Sequence, residues 1–178
     1  MHFSIQFLRF FFLRLVCLLW ISQLPAQDTF SIVAVDSITG EVGSAGASCL
    51  DLTGFQNMEA GFIAQLIPNL GAITTQAYYT PTNQANALIR MSNGDAPEEI
   101  IAWLLQNDVD GKPALRQYGI AAMINGNPKV AAHTGSDTDK YKNHIIGPNY
   151  SIQGNILLGQ QVLDSMEYFF LNTDGDLA

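Results

Sequence analysis

The stretch Thr29–Ser48, TFSIVAVDSITGEVGSAGAS, reads as a β-hairpin and decides the fold class of the chain. From Thr29 to Val35 apolar side chains fall on both faces, with Phe30, Ile32 and Ala34 on one and Val33 and Val35 on the other. A strand of that kind is covered on both sides. Asp36 to Gly40 form the turn, and Gly40 is free to take a positive φ. Glu41 to Ser48 returns as a strand of small residues, over which another layer or a ligand can approach the backbone closely.

Upstream of the hairpin the chain changes character. Arg9 and Arg14 give an acid-free, positive start, Leu15 to Ile21 (LVCLLWI) is apolar, and Leu24-Pro25-Ala26 supplies a cleavage region. This is the pattern of a secretory signal peptide, and the apolar run is short for a transmembrane helix. An uncleaved membrane anchor is the alternative. Cys17 lies inside the apolar run and makes a poor lipid-attachment site. The expected organisation is a signal peptide over residues 1–26 and one domain over 27–178, exported to the periplasm or the extracellular space. No membrane association is expected after cleavage.

Charge and cysteine content narrow the function classes. Removing Arg9 and Arg14 from the 8 basic residues leaves six against 16 acidic ones, a net charge of −10. Such a surface repels phosphate backbones, so nucleic-acid binding is not expected. The one cysteine outside the signal, Cys49, cannot form an intrachain disulfide, and stability must come from the core.

Further along, Phe62 to Ile67 and Gly71 to Tyr79 are strand candidates, and Thr82 to Met91 a short helix ending near Gly94. Asp95, with Glu98 three residues on, has the spacing of a capping box. Pro97 falls in the first turn, and Ile100, Ile101, Leu104 and Leu105 form an apolar stripe. Gln117 to Ile124 and Lys129 to Thr134 flank Asn125-Gly126-Asn127, a hairpin turn. Tyr150 to Leu158 is another strand, and Gln160 to Asn172 a helix with Val162, Leu163, Met166, Phe169 and Phe170 on its apolar side. Strands segregated from helices predict an α+β fold of antiparallel sheet with helices packed outside it. The chain stops at Ala178 with no closing element, which reads as a C-terminally incomplete domain.

Four blocks in order, TFSIVAVDSITGEVG, GAITTQAYYTP, RQYGIAAMINGNPKVAAHTG and GPNYSIQGNILLG, resemble the family called domain of unknown function 1028 over about residues 29 to 172. That family is similar to the N-terminal-nucleophile (Ntn) hydrolases. The resemblance implies a four-layer αββα sandwich, and that the family continues past this chain's end with another helix and a final strand.

Enzymes of the Ntn type use the first residue of a strand as nucleophile and its own α-amine as base. The resemblance puts Thr29 in that position. Cleavage after Ala26 leaves Gln27 and Asp28 ahead of it, so this chemistry needs a second cut at Asp28–Thr29. Otherwise Thr29 is a strand residue and nothing more. Gln76, Gln153 and Asn155 interrupt apolar strands, and their amides either line an oxyanion site or satisfy backbone groups at turns. Arg116 either grips a substrate carboxylate or forms a structural ion pair.

Cys49 reads as a buried, inert thiol. His133, His144, Asp137 and Asp139 lack compact metal-ligand spacing, and no metal site is expected. Asp108-Val109-Asp110-Gly111 carries part of a calcium-loop pattern and reads as a turn, and Asp174 and Asp176 are equally inconclusive. No P-loop, dinucleotide fingerprint or G-x-S-x-G elbow occurs, and no cofactor is expected. Two functions follow: an exported hydrolase of an amide bond in a small or peptide-like substrate, or a non-catalytic extracellular or envelope binding domain on the same fold.

Overall fold

The computed structural model describes residues 28–50 and 60–177. The expected signal peptide and cleavage region lie outside the described residues.

β1 (Thr29–Val35) and β2 (Val42–Ser48) form the expected hairpin in full register, from Thr29 opposite Ser48 to Val35 opposite Val42. Asp36 Oδ1 accepts from the Ile38 N–H at 2.7 Å, and Gly40 takes φ +77°, which closes the turn without a Cβ penalty. A single 3₁₀ turn, Ala60–Ile63, precedes β3 (Ala64–Ile67) and β4 (Gly71–Gln76), so the strand expected from Phe62 begins two residues later. β4 stops at Gln76 rather than running to Tyr79, because Ala77 and Tyr78 turn to φ 56° and 49°.

Helices α1 (Pro81–Ser92) and α2 (Pro97–Gln106) follow. The cap of α2 corrects the sequence reading by one residue. Pro97 holds Ala96 extended at ψ 152°, so Ala96 is the N-cap and Glu99, not Glu98, accepts its N–H at 2.8 Å. Asp95 instead pairs with Arg90 at 2.5 Å. β5 (Gln117–Ile124) and β6 (Asn127–Thr134) are joined by a two-residue turn in which Asn125 and Gly126 both have positive φ, 52° and 76°. β7 (Asn143–Ile146) is a short edge strand that the sequence reading missed. β8 (Tyr150–Asn155) ends where Ile156 turns to φ 59°, and α3 (Gln160–Asn172) has the expected bounds.

The fold is α+β, with three helices and two antiparallel four-stranded sheets among the described residues, ordered β2-β1-β8-β7 and β3-β4-β5-β6. Val33 and Val35 of the first sheet meet Ala72 and Ala121 of the second. The opposite face of the second sheet, with Ile73, Tyr118 and Ile120, packs against Met91 of α1 and Ile100 and Leu104 of α2. The opposite face of the first, with Ala34, Tyr150 and Ile152, packs against Leu163, Met166 and Phe170 of α3. Phe169, expected in the α3 stripe, is 64% exposed. β1 is thus covered on both faces, as its alternation requires.

Candidate functional site

Thr29 opens β1, an interior strand, and has Ser48 of β2 on one side and Asn155 of β8 on the other. Residues alternate faces along a strand, so Thr29 lies on the same face as Ser31, Val33 and Val35, toward the second sheet. Its Oγ1 is 2.9 Å from Ser48 Oγ. Beyond it the sheets part around a cavity of about 420 Å³ lined by Thr29, Ser48, Gln76 and Asn155, with apolar and aromatic walls from Phe62, Ile63, Tyr78 and Tyr79. Phe62 and Tyr79 stack edge to face at 4.9 Å.

Beneath the cavity the sheets are joined by a buried ladder of amides and hydroxyls. Gln153 Nε2 donates to Ser31 Oγ at 2.8 Å and to Thr74 Oγ1 at 2.6 Å, and Ser151 Oγ donates to Gln153 Oε1 at 2.7 Å. Ser31 Oγ donates onward to Gln76 Oε1 at 2.7 Å, and Gln76 Nε2 to Gln117 Oε1 at 2.7 Å. Asn155 Nδ2 donates to the same Gln117 oxygen at 3.0 Å. Gln117 Nε2 lies within bonding distance of Thr134 Oγ1 and the Asn143 and Gly154 carbonyls. Gly119 makes room for this ladder: a Cβ there would sit 2.0 Å from Gln153 Oε1. A satisfied network in a low-dielectric interface is rigid, whereas an unpaired member of it would be costly.

The structure therefore separates the amides grouped by sequence. Gln76 and Asn155 line the cavity and are braced from below through Gln117, while Gln153 is fully buried in the ladder and does not line it. Gln117, the hub, was missed as a site residue. Its signal was a polar residue at the head of an otherwise apolar strand.

Arg116 does not line the cavity. Its Nε and Nη2 grip Asp108 at 2.7 and 3.0 Å, Nη2 also meets Asp110 at 2.6 Å, and Nη1 donates to the Tyr78 carbonyl. The structural ion pair is the reading that fits. The contact with Tyr78 fastens the left-handed Ala77–Tyr78 turn that forms one wall of the cavity. The Arg116 guanidinium holds the Asp108 carboxyl well below the usual carboxylate range. Asp108 Oδ1 also accepts from the Asp110 and Lys112 N–H groups, so the Asp108–Gly111 segment is a turn whose carboxylates are already engaged.

His133 meets the Pro113 carbonyl at 3.2 Å, and His144 Nδ1 lies 2.8 Å from Thr134 Oγ1. Burial pushes both imidazoles below their ordinary pKa. Among the described residues no three His, Cys, Asp or Glu side chains converge as metal ligands. Cys49 corrects another expectation: it is exposed, because it follows the end of the edge strand β2. Asp139 lies on the cavity, where Tyr78 Oη donates to its Oδ2 at 3.3 Å. Among the described residues no helix is long and apolar enough to cross a membrane.

No curated protein matches the chain. Among solved structures it is similar to the crystal structure of protein SPO2555 from Silicibacter pomeroyi, itself matched by the DUF1028 family model, at TM-score 0.69 and 27% identity. The match covers 84% of this chain and 64% of that one, so the chain spans somewhat under two thirds of that protein's length. A family model described as "Family of unknown function (DUF1028)" matches residues 29–178, beginning at the threonine that heads β1, and the chain belongs to that family.

Proposed function

We propose that this protein is an exported Ntn-type hydrolase that cleaves an amide bond in a small or peptide-like substrate, on a four-layer αββα sandwich. The observation that carries the reading is the position of Thr29: first residue of an interior strand, with its hydroxyl beside Ser48 and facing a 420 Å³ cavity. The helices packed on the outer face of each sheet support the sandwich.

In this mechanism the Asp28–Thr29 bond is first cleaved, which frees the Thr29 α-amine. Such an amine has a pKa of about 7.7–8.0, suited to proton transfer near neutral pH. Thr29 Oγ1 attacks the substrate carbonyl carbon, and its proton passes to the α-amine. The C–N bond of the tetrahedral intermediate breaks, and the departing nitrogen takes that proton. Water then attacks the Thr29 ester, again with the α-amine as base, to release the acid. Gln76 and Asn155 hold the cavity's polar wall.

The binding-domain reading keeps one observation of its own. The Asp28 carbonyl accepts from the Cys49 N–H at 3.2 Å, which continues the hairpin ladder past Thr29. Intact mass and N-terminal sequencing of the secreted protein separate the two. Thr29 as first residue, together with a Thr29→Ala variant whose amide turnover falls at least a hundredfold, is the expected result. A chain that keeps Gln27-Asp28 and turns over substrate at full rate overturns the mechanism.

A further inference from the structure

We infer that the cavity beside Thr29 selects substrates whose non-reacting end is a protonated amine on an apolar stem, and discriminates against carboxylates. This rests on the hydrolase reading for its chemistry but not for its binding. Among the described side chains lining the cavity, Asp139 alone carries a formal charge. It lies within hydrogen-bond distance of Tyr78 Oη, and the rings of Tyr78, Tyr79 and Phe62 share the same space. A carboxylate beside aromatic rings suits an ammonium group, through charge pairing and through the negative ring faces.

The cationic side chains that could reverse this preference lie off the cavity wall, and the freed Thr29 α-amine acts in its neutral form at the reacting carbonyl, not at the substrate's far end. Arg116 is held by Asp108 and Asp110. Lys142 Nζ donates to the carbonyls of Ser136 and Thr138. Lys140 is exposed and is not on the cavity wall. Residues 51–59, DLTGFQNME, contain two acids and no Lys, Arg or His. The chain as a whole carries a net charge of −8, which raises the local concentration of cations at its surface. Apolar walls from Ile63, Leu50 and Ile156 accept the stem of the substrate.

The test uses three length-matched p-nitroanilides, acylated with ε-aminocaproyl, heptanoyl or adipoyl groups. Hydrolysis is measured with the secreted protein, and binding with its Thr29→Ala variant by isothermal titration and saturation-transfer NMR. One exposed ion pair gained and one like-charge contact avoided predict that the ammonium compound is favoured over the carboxylate by about tenfold in Kd. Asp139→Asn collapses that ratio toward one, whereas Asp137→Asn, which changes net charge equally from outside the cavity, leaves it in place. No binding of the ammonium compound, equal binding of all three, or a preference untouched by Asp139→Asn overturns the inference. Preserved charge preference in binding with no turnover by the secreted protein instead removes Thr29 as nucleophile and leaves the selectivity standing.

Discussion

Arg116 and Asp108 meet with their side chains only 4% and 1% exposed. Two charges so far from water are stable only as a pair, and removing one strands the other. Arg116→Met is therefore expected to lower unfolding free energy by about 3–5 kcal/mol at pH 7, read from urea denaturation. The pH dependence has a defined sign. The folded pKa of Asp108 lies below its unfolded value, so the pair's contribution is present above about pH 4 and is lost as pH falls through the folded value. The deficit of Arg116→Met relative to wild type should thus narrow as pH is lowered from 5 toward 2. A deficit of the same size at both ends would assign the loss to packing alone. Thr29 is the contrasting case, since its proposed role comes from position and not from burial. It sits half-buried where an interior strand begins, and the proposed chemistry depends on a single peptide bond being cut.

Among the elements, α2 shows how one proline sets a boundary. Pro97 excludes Ala96 from helical geometry and makes it the cap, yet alanine has no side-chain acceptor for the N–H groups that open the helix. Glu99 supplies half of a capping box by accepting the Ala96 N–H. Ala96→Ser would complete the box, and a gain of about 0.5–2 kcal/mol is expected from thermal or urea unfolding. No gain would mean that the backbone at residue 96 cannot present the hydroxyl to the N3 amide. The β1–β2 and β5–β6 hairpins were legible because their turns carry residues that accept positive φ, at Gly40 and at Asn125-Gly126. β7 was not legible, because four residues at a sheet edge, half of them polar, leave too little alternation to register.

Across the whole molecule, stability depends on the seam between the two sheets. His133 and Thr134 lie on β6, and His144 lies on β7 of the other sheet, so the Thr134–His144 contact crosses the seam. Burial disfavours the charged form of both imidazoles and puts their folded pKa values below the ordinary 6.5. The unfolded chain then binds more protons than the folded one below that value, so stability is full above about pH 6.5 and declines as pH falls beneath it. Urea midpoints at pH 7.5 and 5.5 should show this decline, and His144→Gln should shrink it. Equal midpoints in the wild-type protein would show that neither histidine titrates with unfolding.

The sequence by itself determined the local pieces: the first hairpin, the second hairpin, the bounds of α3, and Thr29 as the head of a covered strand. Those features arise from near-neighbour periodicity and turn chemistry, which a linear chain carries openly. Only the tertiary structure decided which polar residues meet. Ser31, Gln76, Gln117 and Gln153 are far apart in sequence, and their bonds exist because β1 and β8 of one sheet face β4 and β5 of the other. The same placement drew Arg116 away from the cavity to Asp108 and left Asp139 on its wall. Periodicity reports which face of a strand is buried, but the partner across the interface is set by the docking of two sheets, and no local pattern encodes it.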